Sequence, residues 1–113
     1  MNGFLPVMLG GAVGAGARYG VALALPAARF PWATLSVNLL GALLIGWLIG
    51  RELSEPTRLF LTVGVLGGFT TFSAFSADTW RLLGEGRGIA AAAYVVASVG
   101  GGLALTALGT RLS

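Results

Sequence analysis

The sequence predicts an all-α integral membrane protein with four transmembrane helices per subunit, the third of them broken. Of its 113 residues, 56% are hydrophobic and only 10% are charged, and the mean hydropathy is +0.87. A soluble domain carries charge on about a quarter of its residues, so this composition is typical of a protein dissolved in lipid. Two further features, a balanced distribution of arginines and a glycine- and threonine-rich third segment, predict how the helices assemble.

Each transmembrane helix needs about 20 apolar residues to cross a hydrocarbon core about 30 Å thick. Four segments of the chain meet this requirement, and connections that contain Pro or Gly separate them. We predict spans at about residues 4–25, 31–50, 57–83 and 88–108, so that residues 1–113 form a single membrane domain. We expect a multi-pass protein of the cell inner membrane.

The arginines give the predicted protein no preferred orientation. Four spans put the two termini and the loop after the second helix on one side of the membrane. The basic residues are Arg51, Arg58 and Arg111 on that side, and Arg29, Arg81 and Arg87 on the other, with Arg18 as a possible fourth. Cytoplasmic loops normally hold the excess of basic residues, so this balance favours insertion in both orientations and an antiparallel, dual-topology homodimer. A short chain with few charges can also give a balanced count by chance.

Nineteen glycines are too many for loops this short, so most of them lie inside helices. Small residues four apart present faces on which neighbouring membrane helices approach closely. Such pairs are Gly10 and Gly14, Gly16 and Gly20, Gly46 and Gly50, and Gly64 and Gly68. Packing within one subunit accounts for most of them, and the pattern predicts a tight bundle that forms an oligomer.

The sequence lacks the residues on which most catalytic sites depend. It contains no His, no Cys and no Lys, so it has no usual general base, no thiolate ligand and no phosphate loop that ends in Lys. The arginines are spread singly, which does not indicate a nucleic-acid-binding patch. No acidic residue lies at the centre of a span, as a proton-coupled exporter would require. We therefore expect neither an enzyme nor a nucleic-acid-binding protein.

The third span contains a stretch, residues 64–76, that is poor material for an unbroken helix. Two adjacent glycines, Gly67 and Gly68, precede two threonines at mid-span, and we expect the helix to break near residues 67–71. Backbone groups freed by a break are tolerated at membrane depth only inside protein or beside a cavity. Freed carbonyls suit a monovalent cation such as Na⁺. A simple glycine kink is the alternative.

Polar side chains at membrane depth are candidate functional residues, because burying them in lipid is costly. Asn38 lies near the middle of the second span, with Thr34 one turn earlier. Its amide is either an interhelical hydrogen-bond partner or a donor that faces an anion pathway. On the fourth span, Tyr94, Ser98 and Thr106 share one face. They form either a polar track or groups that bond to their own helix.

Phenylalanines recur at every third position in the third span, as Phe69, Phe72 and Phe75. Such a stripe usually serves packing. The edge of an aromatic ring, however, carries partial positive charge. Ring edges beside the hydroxyls of Thr71 and Ser73 would line a pore that passes a small anion without trapping it.

These motifs resemble those of the Fluc (CrcB) fluoride channel family. Residues 67–76, GGFTTFSAFS, are similar to the third-helix signature, residues 33–41, ATLSVNLLG, to the second-helix motif, and residues 16–19, GARY, to the first-helix motif. The match covers essentially the whole chain. The resemblance implies an antiparallel homodimer with two fluoride pathways, which passively exports fluoride from the cytoplasm and relieves its toxicity.

The resemblance also implies roles for individual residues. The resemblance, together with the polar groups near the matched motifs, predicts that seven residues line the fluoride pore: Asn38, Thr71, Phe72, Ser73, Phe75, Tyr94 and Ser98. Arg18 is expected near a water-filled vestibule, and the backbone carbonyls of Gly67 and Thr70 are expected to hold a structural Na⁺ at the dimer interface. Two positions depart from the family, since Ala74 and Gly102 stand where a hydroxyl is expected, and this puts the detailed ion path in doubt.

Two other classes of protein compete with this interpretation. A small multidrug-resistance-type transporter also has about four helices and inserts both ways, but the first span here lacks an acidic residue. The second class is an accessory subunit that only packs against a larger membrane complex. Such a protein has no need for the combination of Asn38, a helix break and a polar track. It would also form no conducting dimer alone.

Overall fold

The computed structural model describes residues 2–26 and 28–113, and this part of the chain contains helices and short connections without strands. Among the described residues, three helical segments are long and apolar enough to cross a membrane, Phe4–Ala24, Glu55–Gly84 and Gly88–Leu112, and Trp32–Leu48 is a shorter apolar helix. The longest dimension of the chain is 50 Å, which exceeds the roughly 40–45 Å of a bilayer with its headgroups. The predicted four-helix, all-α class is confirmed.

The first two helices are regular and follow the predicted apolar segments. Helix α1 is Phe4–Ala24 and helix α2 is Trp32–Leu48. With 17 residues, α2 is about 26 Å long, slightly less than the hydrocarbon thickness. The chain turns directly after α2 at Gly50, whose φ of +86° is readily available only to glycine.

The third span is divided into two helices. Helix α3, residues 55–69, begins as the α-helix Glu55–Arg58, widens into a π-helix over Leu59–Leu66, and returns to α geometry in Gly67–Phe69. Thr70 and Thr71 are not helical, and helix α4 is Phe72–Gly84. The interruption therefore follows the glycine pair, whose residues stay helical. No pattern in the sequence predicted the eight-residue π-helix.

Helix α1 packs against α3, and glycines bring their backbones together. A Cβ atom added to Gly10 would overlap the carbonyl oxygen of Phe60, and one added to Gly14 would overlap that of Val65. Both carbonyls belong to the π-helix. Gly10 and Gly14 are thus required by close backbone approach, as expected for small residues at membrane helix interfaces.

Helix α5, Gly88–Leu112, packs along α2 and also contacts α4. Gly46 of α2 and Gly109 of α5 make this second interface as close as the first, because a Cβ on either would overlap backbone of the other helix. The core cluster lies where α2, α4 and α5 meet. It consists of Leu35, Leu82, Ala91 and Tyr94.

Candidate functional site

The break in the third span is held by the side chain of Asn38 from α2. Asn38 Oδ1 accepts a hydrogen bond from the backbone N–H of Thr71 at 2.8 Å, and Asn38 Nδ2 donates to the Thr71 carbonyl at 3.0 Å. The amide thus pairs with both backbone groups of Thr71. It keeps a second N–H, since each NH₂ group has two donors. Asn38 is therefore an interhelical partner that retains one donor.

Two carbonyls of the break are left without donors. The N–H of Thr71 bonds to Asn38, and the N–H of Ala74 bonds to Thr71 Oγ1 at 3.1 Å. In an unbroken helix these two N–H groups would bond to the carbonyls of Gly67 and Thr70. Within residues 2–26 and 28–113, neither carbonyl receives a helical hydrogen bond.

Arg18 of α1 reaches the same break from another helix. Its Nε donates to the carbonyl of Gly68 at 3.1 Å, although the two residues are 50 apart in sequence. Arg18 also lines a cavity of about 210 Å³ together with Thr34, Thr71 and Ala74. The structure therefore places Arg18 beside a cavity, and the departure at Ala74 removes a hydroxyl from the wall of this cavity.

Most of the predicted pore residues meet in an open groove between α2, the third span and α5. Its volume is about 450 Å³, and Asn38, Thr71, Phe72, Phe75 and Ser98 all line it. Gly67 and Thr70 line it as well. None of the side chains that line the groove is charged. A groove whose few polar groups are uncharged is compatible with passage of an ion that must not be held tightly.

Ser98 supplies a free hydroxyl in this groove. Its Oγ is buried and has no hydrogen-bond partner among the described residues. Buried polar atoms nearly always have a partner, so an unpartnered one calls for an explanation such as a bound ion or water. Thr106, which lies further along the groove, differs because its Oγ1 already donates to the carbonyl of Ala42 at 2.9 Å. Thr62, which the sequence analysis did not consider, also lines the groove.

Two aromatic rings face the groove beside these polar groups. The rings of Phe72 and Phe75 have centroids 5.7 Å apart and planes inclined by 47°. Phe72 is 78% exposed, whereas Phe75 packs against the core cluster. Phe69, the third member of the stripe, is 8% exposed and does not line the groove. The stripe is therefore divided between groove and interior.

Two predicted pore residues, Ser73 and Tyr94, do not line the groove. Ser73 is exposed on α4, where its Oγ lies 3.3 Å from Thr71 Oγ1. Tyr94 is fully buried, and its hydroxyl donates to Asp78 Oδ2 at 3.2 Å. The spacing of Tyr94 and Ser98 along the fourth span indicates that they share a helix face. It does not indicate that α4 covers Tyr94 and leaves Ser98 in the groove.

The helices and the groove define a class of protein, a multi-pass membrane protein with an uncharged polar site at a helix break. Residues 5–110 match the model of the family described as CrcB-like protein, Camphor Resistance. The chain belongs to the CrcB family.

Curated relatives share most of their length with this chain. It is 54% identical to the fluoride-specific ion channel of Sphingopyxis alaskensis, over 91% of this chain and 88% of the relative. It is 46% identical to that of Chloroflexus aurantiacus, over 99% and 95%, and 47% identical to that of Geobacter sulfurreducens, over 88% and 86%. These relatives are named as ion channels, which agrees with the expectation that the chain is not an enzyme.

Proposed function

We propose that this protein is a fluoride-selective ion channel that passively exports fluoride across the inner membrane. The observation that carries the proposal is the groove, which is lined by hydrogen-bond donors and aromatic side chains without any charged side chain. The names of the relatives support fluoride as the ion.

The groove provides the contacts that a small, strongly hydrated anion needs when it leaves water. The free N–H of Asn38 and the hydroxyl of Ser98 are donors, and the edges of Phe72 and Phe75 add weak positive charge. The N-terminus of α4 also lies at the break, and the positive end of a helix dipole favours an anion. Because no arginine lines the groove, the ion is not held too tightly to leave.

A structural Na⁺ fits the two carbonyls of the break that have no donor. The carbonyls of Gly67 and Thr70 have lost their helical donors, and carbonyl oxygens are ligands that suit a small, hard cation. Arg18 and Asn38 bond instead to the neighbouring carbonyls of Gly68 and Thr71. The sodium ion would supply the positive charge that compensates these two oxygens.

We propose further that two copies assemble as an antiparallel homodimer. The groove is open along one side of a single chain, so a second subunit is needed to separate it from lipid. Phe72 is 78% exposed at this opening. The balanced arginines allow the two copies to insert in opposite orientations.

A channel and a coupled transporter differ in whether transport carries net charge. In liposomes loaded with potassium fluoride, efflux through a channel should require valinomycin, which lets K⁺ leave with the anion. Efflux that proceeds at the same rate without valinomycin would contradict a channel and favour coupled exchange of the small multidrug-resistance type. Liposomes without protein measure the leak of HF.

A further inference from the structure

Asp78 is a carboxylate on α4 to which the proposed ion path assigns no task. It is half-buried, three residues after Phe75 on the same helix, so both side chains lie on one face. Carboxylates within membrane helices are costly, and they usually have a specific partner. Here the partner is Tyr94 of α5, whose hydroxyl donates to Asp78 Oδ2 at 3.2 Å.

The ring of Tyr94 lies directly behind Phe75. Their centroids are 5.1 Å apart with planes inclined by 46°, and Phe30 meets Tyr94 edge-on at 5.5 Å. Tyr94 is fully buried, whereas Phe75 lines the groove. Phe75 therefore has one side toward the groove and the other against Tyr94.

A tyrosine side chain is fixed when both its ring and its hydroxyl are held. Packing between Phe30 and Phe75 restrains the ring, and the bond to Asp78 restrains the hydroxyl. The 3.2 Å separation is longer than the roughly 2.5–2.7 Å of the strongest hydroxyl–carboxylate bonds. The bond still orients the tyrosine hydroxyl toward Asp78.

We infer that Tyr94 and Asp78 are positioning residues that hold the ring of Phe75 at the ion path, and that Tyr94 does not itself bind fluoride. The hydroxyl proton is already donated to Asp78, and the hydroxyl lies outside the groove. Ser98, one turn further along α5, is the residue of this helix whose hydroxyl is unpartnered in the groove. This inference rests on the proposed fluoride path.

The test is a double-mutant cycle on fluoride efflux from liposomes, with Tyr94→Phe, Asp78→Ala and the two combined. Each single variant should slow efflux about tenfold, because a charge-assisted bond is lost and Phe75 is displaced. The double variant should be no slower than the slower single variant, because the two changes remove the same contact. The dimer fraction by size exclusion should stay as in the wild type.

Asp78→Asn separates the hydrogen bond from the charge. Its amide oxygen still accepts from Tyr94, so this variant should retain more efflux than Asp78→Ala. Controls are Thr110→Val, which removes an exposed hydroxyl of α5, and Glu85→Ala, which removes an exposed carboxylate just after α4. Both controls should conduct as the wild type does.

The outcomes distinguish this inference from the proposed function. Wild-type protein that releases no fluoride would overturn the proposed function, and the inference with it. Wild-type release combined with undiminished efflux in Tyr94→Phe would overturn the inference alone. So would losses that add in the double variant, or an Asp78→Asn variant as slow as Asp78→Ala.

Discussion

Asn38 holds the break through two hydrogen bonds to Thr71 and, in the proposed channel, also donates to the ion. Asn38→Asp keeps an oxygen that accepts from the Thr71 N–H, but it loses the donor to the Thr71 carbonyl and the free donor in the groove. It also adds negative charge to an anion path. We predict that fluoride efflux slows by about tenfold or more while the dimer stays folded. Efflux from liposomes and size exclusion measure the two properties.

The matched control for this change is Asn2→Asp near the N-terminus. Asn2 Oδ1 accepts from the N–H of Phe4 at 3.0 Å, and a carboxylate can make the same bond. This variant should conduct normally. Efflux from Asn38→Asp as fast as from the control would show that the amide donors play no part in conduction.

Phe75 tests whether an aromatic edge is needed at the ion path. Phe75→Ile keeps an apolar side chain but removes the ring and its positively polarised edge. We predict a severe loss of fluoride efflux with the dimer retained, measured as above. Phe4→Ile is the control, since Phe4 is 71% exposed at the start of α1 and lies outside the groove. Equal efflux from both variants would reduce Phe75 to a packing residue.

Residue types in the sequence indicated most of the candidate site, but spacing did not assign every role. Asn38, Thr71, Phe75 and Ser98 meet in one groove. Tyr94 shares a helix face with Ser98, yet it is buried against α4. Spacing gives the face of a helix on which a residue lies, whereas the neighbouring helix that covers this face is decided by tertiary packing.

At the scale of the helices, the interface between α1 and α3 depends on single glycines. Gly14→Ala would push a methyl group into the carbonyl of Val65, and an overpacked site typically costs about 1–3 kcal/mol. We predict a clear loss of stability, measured by thermal unfolding in detergent. Gly16→Ala is the control two residues later, because open space surrounds its Cβ position. Equal unfolding temperatures would contradict the observed close approach.

The broken third span was predictable because its cause is local, whereas the π-helix was not. Adjacent glycines and threonines weaken a helix wherever they occur. The break lies at Thr70 and Thr71, directly after the helical residues 67–69. The π-helix Leu59–Leu66 lies against Gly10 and Gly14 of another helix. The π-helix is therefore associated with contacts to α1, and the sequence of the third span alone does not specify these contacts.

At the scale of the whole molecule, the proposed Na⁺ site links ion binding to dimer stability. Two carbonyls without helical donors, those of Gly67 and Thr70, would lose their compensating charge if Na⁺ were removed. We predict that replacing Na⁺ by a large organic cation at constant ionic strength weakens the dimer, measured by subunit exchange between fluorescently labelled copies. The control replaces the anion of the salt and keeps Na⁺. An unchanged exchange rate without Na⁺ would contradict the site.

The four crossings could be predicted from the sequence because hydropathy and helix length respond to the bilayer directly. Antiparallel pairing rests on weaker information, the balance of arginines at the two ends of the helices. A single chain shows an open groove and an exposed Phe72, which in the proposed dimer a second subunit would cover.

The central claim, selective passage of fluoride, is tested most directly with liposomes that contain this purified protein and no other. Fluoride and chloride electrodes record efflux of each ion under the same gradient and with valinomycin present. We predict rapid loss of fluoride with chloride retained, since closely spaced donors can replace the water around the smaller ion. Retention of both ions, or release of both at similar rates, would contradict a fluoride-selective channel.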